Sequence, residues 1–270
     1  MLRRDLLVAA AAAGISLAAI APAGAVTDPA LDAALHNKDR KPQAVARDSV
    51  RHPAEELSFY GIRPDMTVVE IWPGAGYWTG ILAPYLHDHG TYYVAVPAGA
   101  GEEDKFGEMF RKALAAQPAR FSQVKITTLG PGHFDIAPAG SADLILTFRN
   151  LHNWMGMGIA PQVLDAFYRA LKPGGVLGVE DHRAGTDKPQ DPKADNGYVR
   201  QDYAVALIEK AGFKLVGSSE MNANPRDTKN WPQGVWTLPP TFALGAKDHD
   251  KYAAIGEADN FVLKFQKPAQ

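Results

Sequence analysis

The stretch Val68-Val-Glu-Ile-Trp-Pro-Gly-Ala-Gly-Tyr-Trp78 (VVEIWPGAGYW) decides how the chain is read. An apolar run carrying one acid, Glu70, predicts a strand over residues 67–71. Gly74 and Gly76 flank Ala75, and an apolar helix is expected from Tyr77. In an open parallel sheet, ligands sit beyond the carboxyl ends of the strands, so the first strand-to-helix turn is a natural binding place. Glycines there let a ligand approach the backbone, and the helix start offers free N–H groups. Glu70 stands at the strand end as a hydrogen-bond acceptor. Taken alone, a glycine pair marks a tight turn as readily as a cofactor site. Trp72 and Pro73 occupy positions where such a turn is ordinarily small.

Outward from this turn the chain alternates. Strands are predicted over residues 91–96, 124–129, 143–148, 176–180, 213–218 and 261–265. Helices are predicted over 53–60, 77–86, 102–116, 161–171 and 199–211, with Pro84 as a kink or stop in the second. Val163, Leu164, Phe167, Tyr168 and Leu171 mark one helical face, and Pro173-Gly-Gly175 breaks that helix. Strands alternating with helices predict an α/β three-layer sandwich around a mostly parallel, doubly wound sheet. About seven strands are too few for an eightfold barrel. Residues 26–60 form a helical and irregular lead-in. Residues 220–259 form a long insert, rich in Pro, Asn, Gly and Trp, that reads as a lid over the carboxyl edge of the sheet.

The chain has 270 residues, 46% of them hydrophobic, and a formal charge of −2. That suffices for one sizeable domain over residues 26–270, and it does not indicate a nucleic-acid surface. Residues 1–25 differ from the rest. A basic start with Arg3-Arg4, an uncharged alanine-rich run and Ala23-Gly-Ala25 read as a cleavable signal peptide. The arginine pair resembles a twin-arginine export signal and implies a periplasmic protein with no stable membrane insertion after cleavage. An uncleaved anchor is the alternative, because residues 6–25 nearly match a bilayer span. There is no cysteine, which excludes disulfides, thiol catalysis and cysteine-ligated metals.

Two further segments stand in a telling order after the glycine turn. Asp143-Leu-Ile-Leu-Thr-Phe-Arg-Asn-Leu-His-Asn153 is a strand ending in polar groups. Leu171-Lys-Pro-Gly-Gly-Val-Leu-Gly-Val-Glu180 (LKPGGVLGVE) is a helix end, a Gly-Gly turn and a strand. Together they resemble class I S-adenosylmethionine-dependent methyltransferases over residues 68–265. With the signal peptide and the RHPAEELSFYGI lead-in, the chain resembles an exported branch of predicted methyltransferases. The resemblance implies a Rossmann-like sheet of strand order 3-2-1-4-5-7-6 with its last strand antiparallel. It also implies S-adenosylmethionine as cofactor and a small-molecule methyl acceptor as partner. Glu70, Trp72, Gly74, Ala75, Gly76 and Asn150 would line the cofactor. Trp72 replaces the first glycine of the family's motif, as core packing or as a wall against the sulfonium. The second strand ends Val94-Ala-Val-Pro97, without the acid that the family uses on the ribose hydroxyls. Glu102, Glu103 or Asp104 would have to substitute, and Asp135 is a candidate for the adenine side.

Arg149, Asn150, His152 and Asn153 follow the fourth strand, and Asp181, His182 and Arg183 follow the fifth. A methyl transfer needs alignment above all, and a base only where the acceptor must lose a proton. His152 and His182 are the candidate catalytic residues. Arg149, Arg183 and Tyr198 are candidates for substrate binding, the arginines on an acidic group. Arg226, Trp231, Trp236 and Tyr252 would form a substrate cover. No spacing suggests a metal site. Two other readings stay open: a non-catalytic ligand-binding protein that retains the fold, and a nicotinamide enzyme, which the glycine spacing disfavours.

Overall fold

The computed structural model describes residues 28–98 and 104–269. The expected export signal, Glu102, Glu103 and the side chain of Asp104 lie outside the described residues. A lead-in of four helices, α1 (Pro29–Leu35), α2 (Pro42–Val45), α3 (Asp48–Arg51) and α4 (Pro53–Tyr60), precedes the sheet. Then come β1 (Thr67–Ile71), α5 (Thr79–Leu86), β2 (Thr91–Pro97), α6 (Asp104–Ala115), α7 (Pro118–Phe121) and β3 (Lys125–Leu129). The second half holds β4 (Ala142–Phe148), α8 (Leu151–Gly156), α9 (Ala160–Ala170), β5 (Leu171–His182), α10 (Gln201–Lys210) and β6 (Lys214–Ser219). The insert contributes β7 (Pro232–Val235) and α11 (His249–Ile255), and β8 (Asn260–Gln266) closes the chain.

Seven strands form one sheet in the order β3-β2-β1-β4-β5-β8-β6. Strands β1 to β5 are parallel, and β8 runs antiparallel to both β5 and β6. With β7 outside the sheet, β8 is its seventh strand, and the order is the expected 3-2-1-4-5-7-6. The chain winds outward from β1 to β3, then returns to place β4 on the other side of β1. That reversal opens a crevice at the carboxyl ends of β1 and β4, where open α/β sheets hold ligands.

Each face of the sheet carries its own core. One packs Val69, Ile71, Ile145, Leu177 and Leu263 against α8, α9 and α10 through Trp154, Phe167 and Ile208. The other packs Val68, Val94, Leu144 and Leu146 against α4, α5 and α6 through Leu57, Leu82 and Phe110. The inner strands β1, β4 and β8 are buried on both faces, which is why they read as continuous apolar runs, whereas the edge strand β6 is largely exposed.

Some local expectations shift. Helix α5 runs through Pro84 to Leu86, so the proline does not stop it. Helix α10 starts two residues later than expected, because Val199 is drawn into a strand-like bridge beside Arg183. Strand β5 begins at Leu171, paired with Ala142, and residues 172–175 form a bulge before regular pairing resumes at Val176. Helices α7, α8 and α11 and strand β7 have no counterpart among the elements expected from sequence. Among the described residues no helix is long and apolar enough to cross a membrane.

Candidate functional site

A cavity of about 360 Å³ lies over the β1–β4 crevice. Glu70, Trp72, Gly74 and Ala75 form its floor, and Arg149, Asn150, His152, Asn153 and His182 form one wall. Arg47 and Arg51 enter from the lead-in, and Val235, Trp236, Pro239, Pro240 and Thr241 of the insert form the roof. The insert therefore folds over the carboxyl edge of the sheet. A more apolar cavity of about 310 Å³ adjoins it and shares Arg47, Ala75, Tyr77 and Pro240.

The turn after β1 has the expected backbone. Gly74 and Gly76 take φ of +54° and +81°, and a Cβ on Gly74 would meet nothing within 4 Å. Trp72 also sits in the left-handed region, at φ +47°. A non-glycine residue there costs about 1–3 kcal/mol. Its indole offsets part of that cost. Nε1 donates to the Leu129 carbonyl at 3.1 Å, and the ring packs edge-on to Trp154 with centroids 5.8 Å apart. The indole thus reaches from the end of β1 to the end of β3.

Glu70 is fully buried beneath the turn. Its Oε2 accepts from Thr79 Oγ1 at 2.7 Å and from the Tyr92 hydroxyl, while Oε1 has no partner. Burial raises its pKa to about 7, against the smaller opposing effects of Tyr92, Thr79 and Arg51. Asn150 Nδ2 donates to the Ile71 carbonyl at 3.0 Å and to Thr147 Oγ1 at 3.3 Å, which ties the ends of β1 and β4 together. Only its carbonyl oxygen is left for a ligand.

His152 and His182 come from α8 and the end of β5, on adjacent strand ends. Asp181, wholly buried between them, accepts from His152 Nδ1 at 2.8 Å, from the His152 backbone N–H at 3.0 Å and from the His182 backbone N–H at 2.7 Å. Burial pushes the Asp181 carboxyl up, but the histidines outweigh it and hold the group below its ordinary range. A carboxylate only accepts, so Nδ1 of His152 carries the proton shared with Asp181, and in the neutral ring Nε2 is the accepting nitrogen. His182 Nδ1 meets Asn260 Oδ1 at 2.7 Å, and the Asn260 amide donates to Glu180 Oε1 at 3.0 Å, which fixes its orientation. Burial lowers the His182 pKa to about 3, with Asp181 opposing and His152 and Arg149 adding to the depression. His182 stays neutral near pH 7. The two rings lie 5.3 Å apart, and His152 stands 6.0 Å from Trp236 in the roof.

Sequence spacing suggested no metal site, yet the fold brings ligand atoms of His152, Asp181 and His182 within 4.8 Å of one another. The Asp181 carboxylate is already taken by three N–H donors, so the group is built as a hydrogen-bonded dyad with a neighbouring imidazole.

Two expected substrate residues are elsewhere. Arg183 is drawn to Glu220 at 2.6 Å and to the Asn260 carbonyl at 3.2 Å, and it does not line the cavity. Tyr198 is buried in the insert's own small core, with its hydroxyl on Asp227 at 3.0 Å. Of the four insert residues expected to form a cover, only Trp236 lines the cavity. Trp231 and Tyr252 pack on each other, and Arg226 donates to the Ala254 carbonyl. Asp135 sits outside the cavity as well. Arg149 is where it was expected, at φ +62°, bonded to Glu257 at 2.7 Å. Sequence reasoning missed Arg47 and Arg51. Their spacing of one helical turn was the available signal, in a segment that otherwise reads as a helix start.

No family model matches the chain, and no curated protein matches its sequence. Solved structures do match. A SAM-dependent methyltransferase from Aquifex aeolicus is 16% identical, with 82% of this chain and 93% of that one covered and a TM-score of 0.53. The [4+2]-cyclase SpnF is 16% identical, with 86% and 84% covered and a TM-score of 0.52. A 1,6-didemethyltoxoflavin-N1-methyltransferase from Burkholderia thailandensis, solved with S-adenosylhomocysteine, is 13% identical, with 82% and 78% covered and a TM-score of 0.51. A cyclase among them illustrates that such a fold hosts more than one chemistry. At these identities the likeness is one of architecture: the chain has the Rossmann-like fold of SAM-dependent methyltransferases.

Proposed function

We propose that the protein transfers a methyl group from S-adenosylmethionine to a small molecule, with His152 as the base. The observation that carries this is the Asp181–His152 pair, whose imidazole lines the same cavity as Gly74 and Ala75, while Gly76 lines the adjoining one. Two features of the floor fit such a donor. Gly74 leaves open space where a Cβ would project, and the buried Oε1 of Glu70 lacks a partner. Glu70, Gly74, Ala75, Gly76 and the Asn150 carbonyl would hold the donor, with the Trp72 indole as a wall. When bound, the donor supplies an electrophilic methyl group on a sulfonium.

The chain's own residues supply the rest. Asp181 fixes the imidazole of His152 in the tautomer whose Nε2 can take a proton from an acceptor hydroxyl or amine. His182 cannot charge near neutral pH, so it orients the acceptor by accepting a hydrogen bond at Nε2. The roof around Trp236 keeps water from the reacting groups and limits the acceptor to a small molecule. Export by residues 1–25, with cleavage near Val26, is part of the proposal. N-terminal sequencing of protein from the cell envelope tests it, and an intact Met1 would favour an anchor.

The deciding experiment is a titration of the purified protein with S-adenosylmethionine, S-adenosylhomocysteine and a dinucleotide, followed by acceptor screening with labelled donor. Binding of the two sulfur nucleosides with label transfer is expected. Donor binding without transfer to any acceptor would leave a binding protein, and preference for the dinucleotide would discard the reading.

A further inference from the structure

The lead-in arginines bear on what else the cavity holds. Arg51 is only 5% exposed, yet its guanidinium makes one hydrogen bond, a long one of 3.3 Å to Glu180, and its Nε has no partner. It lies 4.3 Å over the Tyr77 ring and 5.3 Å over Trp78. Aromatic faces compensate a buried cation only in part. Burial, with Arg149 as the next cause, pushes the Arg51 pKa down to about 10.

The carboxylates bonded to these arginines are spent. Glu257 is held by two bonds from Arg47, at 2.6 and 2.8 Å, and one from Arg149 at 2.7 Å. Glu180 is shared among Arg51, Asn222 and Asn260, with Arg149 Nε at 3.7 Å. Glu56 is fully buried and takes its hydrogen bonds from Tyr60 and from the same Asn222 amide that serves Glu180. Two buried carboxyls sharing one donor do not both ionise readily. Three guanidinium charges therefore face the two carboxylates bonded to them, Glu70 being the one acid in the cavity lining with its pKa raised to about 7, and all three arginines line the cavity.

We infer that Arg51, with Arg47 and Arg149, forms a seat for one carboxylate group of a bound small molecule. A carboxylate supplies the single missing charge, and its two oxygens match the fork of an under-bonded guanidinium. A phosphate would overcompensate. The carboxylate is either the donor's aminoacyl group or one on the acceptor. The choice rests on the methyl-transfer reading, whereas the seat does not.

Calorimetry on the full purified protein tests it with three probes: S-adenosylhomocysteine, 5′-methylthioadenosine and benzoate. Arg51→Met should weaken a carboxylate-bearing probe at least tenfold, Arg51→Lys should recover part of the loss, and 5′-methylthioadenosine should change less than twofold. A loss confined to S-adenosylhomocysteine assigns the seat to the donor, and a loss confined to benzoate assigns it to the acceptor. Benzoate binding that depends on Arg51 while neither nucleoside binds would keep the seat and remove the methyl-transfer reading. Unchanged affinity for both carboxylates in Arg51→Met would overturn the seat. If that variant does not fold, thermal shifts of the unaltered protein decide. Benzoate or S-adenosylhomocysteine must raise Tm where benzamide or 5′-methylthioadenosine does not, and equal shifts within both pairs would overturn the seat.

Discussion

Asp181 and Asp227 are both buried carboxylates that gather hydrogen-bond donors, yet they do different work. Asp181 collects two backbone N–H groups and the His152 ring. Asp227 collects the Tyr198 hydroxyl, Trp231 Nε1 at 2.7 Å, and the N–H groups of Lys229 and Asp259 at 2.9 Å each. The difference lies in the partners. His152 has a second nitrogen, and its ring lines the cavity. Tyr198 is 1% exposed and has no second polar end, and burial and Asp227 push its phenol far above its ordinary range. One carboxylate therefore orients a cavity-lining imidazole. The other fastens a long insert in a chain that has no cysteine to do so.

The largest effect expected from this contrast is on turnover. His152→Ala should lower the methyl-transfer rate about 10²–10⁴-fold, the range for a lost general base, with affinity for S-adenosylhomocysteine unchanged. Asp181→Asn should fall in the same direction, because an amide in that place no longer dictates the imidazole tautomer. A full rate in His152→Ala would reduce Asp181 to the same kind of fastener as Asp227.

Asp227→Ala should act the other way round. It strands several buried donors, each worth about 1–3 kcal/mol when unsatisfied, so a loss of about 3 kcal/mol or more is expected in chemical denaturation. Because the insert carries the cavity roof, protease cleavage within residues 220–259 should quicken before global unfolding. Affinity for the donor product should fall less than stability does. A loss of binding with unchanged stability would show that Asp227 serves the ligand directly.

The sequence made the scaffold legible because its signals are local and repeated. VVEIWPGAGYW and LKPGGVLGVE carry strand, turn and helix in adjacent residues, and the sheet order followed from their resemblance to a known fold. The ends of β4 and β5 were legible too, since strand ends fix which residues share an edge. Side-chain direction was not. Arg183 and Arg149 read alike in sequence, but Arg183 bonds Glu220 at the far side of β5 while Arg149 turns into the cavity through a left-handed backbone. Tyr198 was lost to Asp227, 29 residues away in the chain, and Arg47 was missed because Glu257, which holds it at the cavity, is 210 residues away. Such pairs are set by packing of distant segments, which no local pattern records.

Glu70 gives the comparison a third member. It receives the hydroxyls of Thr79 and Tyr92 while one oxygen stays unfilled, and burial outweighs these donors, so its pKa rises from 4.5 to about 7 where that of Asp181 falls. The sign follows from proton binding. Between about pH 4.5 and 7 the folded state holds the Glu70 proton and the unfolded chain does not, so this group's stabilising effect is lost as pH rises. A shift of this size corresponds to about 3 kcal/mol. Glu70→Gln should remove that slope and leave stability flatter across the same window, as read by denaturant midpoints at several pH values. Glu257 works in the opposite sense. Burial raises it, but Arg47 and Arg149 outweigh burial and bring it to about 2, so its contribution is lost as pH falls below about 4.5. An unchanged slope in Glu70→Gln would mean that a donor reaches Oε1 and makes Glu70 resemble Asp181.

The smallest expected effect is at Trp72, where strain and packing nearly offset. Trp72→Gly relieves a left-handed backbone worth about 1–3 kcal/mol. It also removes an edge-to-face pair with Trp154, worth about 0.5–1.5 kcal/mol, and a hydrogen bond to Leu129 of about 0.5–1.5 kcal/mol. Lost burial of the partly exposed indole adds to the cost, so net stability should move by about 1–2 kcal/mol toward instability. Ligand binding is the sharper readout. The indole spans the strand ends from β1 to β3, so its removal should alter affinity for the nucleoside part of S-adenosylhomocysteine and leave a carboxylate probe unaffected. Tryptophan fluorescence in the unaltered protein should respond to 5′-methylthioadenosine, and that response should shrink in Trp72→Gly. Equal quenching in both proteins would place the nucleoside away from β1–β3, and Trp72 would then be packing alone, as self-contained as Tyr198.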